Sequence, residues 1–133
     1  MKPPAILYCH CQYAQVLPAE VKQAVLRRLC ASGRPFEAVP DLCEMAARRD
    51  PLLARLAGAG PLKIAACFPR AVKGLFVAAG APLTPEQTEV VNLRVLPAEE
   101  AETALLAADL RPNLPGGRNA AAPAPQPETV QPR

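Results

Sequence analysis

The chain has 133 residues, half of them hydrophobic and 20% charged, which suits one domain with a buried core. Fifteen Lys and Arg stand against twelve Asp and Glu, and residues 1–110 alone carry twelve against eleven, so the concentrated basic face of a nucleic-acid module is missing. Aromatics are 4% with no Trp, which argues against base-stacking platforms, and no apolar run nears the ~20 residues of a membrane span, so no membrane insertion is expected.

After Met1-Lys2-Pro3-Pro4 comes the apolar stretch Ala5-Ile6-Leu7-Tyr8-Cys9. It is too short for a secretory segment, so a cytoplasmic protein with reduced thiols is expected. The stretch reads as a first strand. Val21, Ala24, Val25 and Leu29 then form one face of a helix from Pro18, with Gly33 as its stop. Pro35 to Cys43 reads as a weak second strand, which Pro40 confines to an edge or ends early. Asp50-Pro51 starts a helix that Gly58 closes, and Leu62 to Cys67 is a third strand. Ala71, Val72, Leu75, Phe76 and Ala79 have helical spacing up to Gly80. Glu89 to Leu96 reads as a fourth strand, and Pro97 to Leu110 as a helix with Glu99 and Glu100 in its first turn. Residues 111–133 hold six of the 17 prolines and almost no large apolar side chain, the composition of a disordered tail. The alternation predicts an α/β fold, a small three-layer domain over 1–110 with a mostly parallel four-stranded sheet, followed by a disordered Pro/Ala-rich tail.

Five cysteines in a chain expected to be cytoplasmic point to metal or thiol chemistry rather than disulfides. Three expected strands end in cysteine: the first in Cys9-His10-Cys11, the second in Cys43, the third in Cys67. A parallel sheet brings those ends to one edge, where ligands of such sheets sit. Cys30 falls off the apolar stripe of its helix at the other edge and is expected to be a bystander. Four thiolates hold either Zn²⁺ or an iron–sulfur cluster, and the wide gaps lean toward the cluster. A redox dithiol, a thiol enzyme using Cys9 or Cys67 as nucleophile, and plain packing are the other readings.

The same residues carry a likeness. Cys9-His10-Cys11 after an apolar strand, a lone Cys43, and Ala65-Ala66-Cys67-Phe68-Pro69-Arg70 followed by Phe76 resemble the N-terminal domain of the large, flavin-bearing subunit of heterodisulfide reductase. A weaker similarity runs to the delta subunit of methyl-viologen-reducing hydrogenase. The match covers about Ile6 to Phe76. It departs from the pattern at Gln12-Tyr13-Ala14, at Glu44-Met45-Ala46 and at Val72. The resemblance implies a [4Fe–4S] cluster on Cys9, Cys11, Cys43 and Cys67, and electron transfer with a larger flavoprotein or heterodisulfide-reductase-like redox complex. Arg70, three residues after Cys67, is expected to face the cluster with its charge, as a cofactor-binding residue. His10 sits between two ligands and is expected to point away from them. The alternative is a structural zinc-binding interaction module with the same four cysteines.

Overall fold

A computed structural model describes residues 3–11 and 17–115 of the chain. The expected tail beyond residue 115, and Tyr13 within 12–16, lie outside the described residues. The elements run β1 (Ala5–Cys9), α1 (Ala19–Ala31), β2 (Glu37–Val39), α2 (Leu42–Ala47), α3 (Pro51–Ala57), β3 (Leu62–Ala66), α4 (Pro69–Ala78), a 3-10 turn (Pro85–Gln87), β4 (Thr88–Asn92) and α5 (Ala98–Leu106). Among the described residues, no helix is long and apolar enough to cross a membrane.

The four strands form one all-parallel sheet in the order β2-β1-β3-β4. Glu37, Leu7, Ile64 and Val90 make one row across it. β1 and β3 occupy the middle and are buried on both faces, which is why they read as unbroken apolar runs. α1 packs on α5, and α2 packs on α4. Right-handed crossovers put these two pairs on opposite faces, giving three layers. Val25 and Leu29 of α1, Leu53 of α3, Phe76 of α4 and Leu105 of α5 are all buried against the sheet.

The punctuation follows local chemistry. Pro18 stands one residue before α1 rather than inside it, and Gly33 takes the positive φ of 76° that ends the connection out of α1. Asp50 caps α3 by accepting from the Leu52 amide at 2.9 Å.

Four expectations need correction. The second strand does not reach Cys43. It stops at Val39, because Pro40 offers no amide to the ladder and Asp41 caps α2 by accepting from the Glu44 amide at 3.1 Å. Cys43 is therefore the second residue of a short helix. β4 ends at Asn92 rather than Leu96, because the Asn92 side chain accepts from the Arg94 amide at 3.0 Å and turns the chain. α5 ends at Leu106 rather than Leu110. Lys63, from the centre of the sheet, reaches its last turn and donates to the carbonyls of Ala104 at 2.5 Å and Ala107 at 2.8 Å. Residues 111–115, expected in the tail, lie on β4: the Asn113 amide side chain exchanges two 2.8 Å hydrogen bonds with the backbone of Val90, and its own backbone N–H donates to Thr88 O.

Lys63 is fully buried, with Glu89 of β4 at 3.7 Å, and Glu89 in turn accepts from the Arg111 amide. Burial lowers the lysine pKa, while the Glu89 carboxylate opposes that shift. The pair thus ties β3, β4, the end of α5 and the segment after it. Replacing one member of a buried ion pair leaves the others unpaired. Lys63→Met is expected to cost about 3 kcal/mol of unfolding free energy in urea titrations, whereas Arg55→Ala, whose ion pair is exposed, is expected to cost well under 1 kcal/mol.

Candidate metal centre

The connections out of β1 and β3 run in opposite directions: α1 leads from β1 out to β2, and α4 leads from β3 out to β4. A crevice opens where such connections diverge, above the C-terminal ends of β1 and β3. Cys9 ends β1, Cys11 follows it by two residues, and Cys67 is the first residue past β3. The Leu93 amide donates to Ala66 O at 2.7 Å, which holds the turn after β4 against that same strand end. Cys43 arrives from the first turn of α2, whose preceding residue, Leu42, directs its amide at Cys9 Sγ at 3.4 Å.

The Cys9-His10-Cys11 turn is held from several sides. The His10 amide donates to Val39 O at 2.9 Å, and its carbonyl accepts from Lys22 Nζ at 2.7 Å. Cys11 adopts φ 54°, the left-handed region where a non-glycine residue is strained. Strand alternation sends Tyr8 toward α1 and Cys9 toward α2. The Tyr8 hydroxyl donates to Lys22 O at 3.2 Å and lies 3.0 Å from His10 Nδ1. Its single proton is committed to the carbonyl, so Nδ1 is the donor of the second bond. The histidine ring is thus engaged with Tyr8, not with the sulfurs.

Electrostatics links the thiols. Burial pushes the Cys9 thiol up to about 11, against the amides of Leu42 and Cys11, which favour the thiolate; the Cys11 and Asp41 charges push the same way as burial. Burial also raises Cys43, assisted by Asp41, Cys67 and Cys11. It raises Cys67, with Cys11 adding to the shift and the amides of Phe68 and Cys67 itself opposing it. Cys11 therefore interacts with the other three. Among the described residues, no three His, Cys, Asp or Glu side chains are gathered closely enough to hold a single metal ion. The backbone amides beside Cys9 and Cys67 favour the charged form of those thiols.

Arg70 is exposed at the second position of α4. The cation whose charge favours the Cys67 thiolate is Arg94, which also lies over the Phe68 ring at 5.4 Å. Sequence reasoning missed Arg94 by running the fourth strand through it. The signal was Asn92, a turn-former two residues before an arginine, at what becomes the end of the strand neighbouring β3. Met45 is core, Glu44 pairs with Arg48 at 3.0 Å, and Cys30 is exposed near the end of α1.

Comparisons with protein-family models, curated proteins and solved structures find no match for this chain. The likeness to heterodisulfide reductase rests on the cysteine pattern and on the segment from Ala65 to Arg70.

A thiol whose pKa is higher in the folded than in the unfolded state contributes stability that is complete below the unfolded pKa and lost as pH rises toward the folded one. For Cys9 that window runs from the ordinary thiol value of 9.0 up to about 11, and the loss is on the order of 2 kcal/mol. Metal-free reduced protein is expected to unfold at lower urea at pH 10.5 than at pH 8. Cys9→Ser is expected to flatten part of that slope.

Proposed function

We propose that this chain is an iron–sulfur electron-transfer protein that holds a [4Fe–4S] cluster on Cys9, Cys11, Cys43 and Cys67 and docks on a larger flavin or iron–sulfur oxidoreductase. The observation that carries the reading is the placing of Cys9, Cys11 and Cys67 at the ends of neighbouring strands, where the connections of β1 and β3 diverge, with Cys11 acting electrostatically on Cys9, Cys43 and Cys67 and the Leu42 amide turned toward Cys9. Such a cluster, when bound, accepts and returns one electron without moving heavy atoms far.

The protein's part is to hold four thiolates and set their field. Cys9 and Cys11 are buried and supply the dry wall of the site; Cys43 and Cys67 stand nearer the surface. The amides of Leu42 and Phe68 and the Arg94 charge favour added negative charge, and the Asp41 carboxylate, nearest Cys9 and Cys43, opposes it. The balance of these terms sets the potential. Arg70, with Pro69 fixing the start of α4, adds a positive charge three residues from Cys67.

Anaerobically purified protein is expected to be brown, to contain iron and sulfide in equal amounts, and to give an EPR signal on reduction. Cys67→Ser is expected to lose most of the iron while Cys30→Ser retains it. Full iron in the Cys67 variant overturns the ligand set. A colourless protein with stoichiometric zinc overturns the electron-transfer reading in favour of the structural zinc module, which uses the same donor set.

A further inference from the structure

Among the described residues, the large hydrophobic side chains left exposed are Phe68, Val77 and Val95. Two of these three are chain neighbours of Cys67 and of the Arg94 that acts on it. Phe68 follows Cys67 and is 42% exposed; Val95 follows Arg94 and is 62% exposed. A lone exposed apolar residue is ordinary on a protein surface. These two flank a guanidinium that is stacked on the phenyl ring, beside the half-buried thiol. The segments 67–79 and 90–98 contain Arg70, Lys73 and Arg94 and no Asp or Glu. The acidic pair Glu99–Glu100 begins α5, on the other face of the sheet. Beside Cys43, Glu44 is taken up by Arg48.

We infer that the rim formed by Cys67, Phe68, Arg94 and Val95 is the face on which this protein meets its redox partner, and that the partner presents acidic side chains around an apolar spot. The inference deepens the electron-transfer reading and rests on it. Stacking on Phe68 restrains the Arg94 guanidinium, so less side-chain freedom is lost when its N–H edges take a carboxylate. Phe68 and Val95 supply the apolar contact at the centre, and the Cys67 sulfur lies one residue behind it. Opposite charge across the contact speeds encounter and selects the partner.

Two small oxidants of opposite charge read this face in the iron-loaded protein. Reduced protein is mixed in stopped flow with tris(oxalato)cobaltate(III), a trianion, and with tris(phenanthroline)cobalt(III), a trication. Oxidation by the anion is expected to slow as salt rises, and an oligoglutamate peptide is expected to inhibit the anion's reaction and not the cation's. Arg94→Glu is expected to lower the ratio of the anion's rate to the cation's about tenfold, a ratio in which a change of potential cancels, and Arg94→Gln to fall between, with rates referred to the iron-loaded fraction. Equal ratios for all three proteins, with no effect of the peptide, overturn the proposal. A second readout needs no cluster. In metal-free protein carrying Cys30→Ser and Cys43→Ser, modification of Cys67 by the anionic disulfide 5,5′-dithiobis(2-nitrobenzoate) is expected to outpace that by the cationic disulfide cystamine, and Arg94→Glu to reverse the order. If no iron is bound but this preference holds and reverses, the electron-transfer reading fails while the cationic rim stands. If iron is bound and the preference is absent, the rim assignment fails while the reading stands.

Discussion

β1 hydrogen-bonds on both sides, to β2 and to β3, and the two crossovers around it, from β1 to β2 and from β2 back over β1 to β3, must both be right-handed. Those two requirements put α1 on one face and α2–α3 on the other. They leave the space above the end of β1 free of any helix of its own. The chain that occupies that space is the Cys9-His10-Cys11 turn. Alternation along the strand then divides its residues: Tyr8 and His10 go to the α1 side, and Cys9 to the α2 side. One face of a single strand end serves for anchoring and the other for sulfur.

The anchoring side has to be strong, because Cys11 sits in a backbone region that costs a non-glycine residue about 1–3 kcal/mol. Lys22 is the main counterweight. Its buried ammonium donates to the His10 carbonyl, and its own carbonyl accepts from Tyr8, so the first turns of α1 are tied to the turn twice. Hydrogen bonds to a charged donor contribute about 1.5–3 kcal/mol, which is enough to offset the strain. The His10–Tyr8 bond closes the circuit. The same lysine brings a positive charge to the back of a site whose thiols and Asp41 are all potential anions.

Much of the layout was legible in the residues. Apolar runs gave β1 and β3 to within a residue, and Asp50-Pro51, Gly33 and Gly80 marked ends correctly because capping and positive φ are local matters. Alternation alone pointed to a mostly parallel sheet, and all four strands are parallel. What escaped the sequence was decided by tertiary partners. A strand through Val39 to Cys43 and a short capped helix over the same residues differ by one Asp41 hydrogen bond. β4 and α5 were drawn too long because their ends depend on an Asn side chain and on a lysine 41 residues away. Cys9, Cys11 and Cys67 stand at or just past the ends of β1 and β3, where their apolar runs placed them. Cys43 lies on a short helix rather than at a strand end, and Arg94 was hidden inside an overlong strand. A choice between zinc and an iron–sulfur cluster is not a property of spacing at all, since both accept four thiolates.

The Asn113 side chain has one more effect. A sheet border normally offers a row of unmet amides and carbonyls to any passing chain. Here the β4 border is met at Val90 by a carboxamide that mimics a peptide unit, and at Thr88 by the backbone of the same residue. The opposite border is a three-residue strand followed at once by Pro40. Neither flank is a long bare template, so the domain is poorly suited to grow sideways into a continuous sheet or fibril. Association through helices or through the thiol rim is unaffected by this protection.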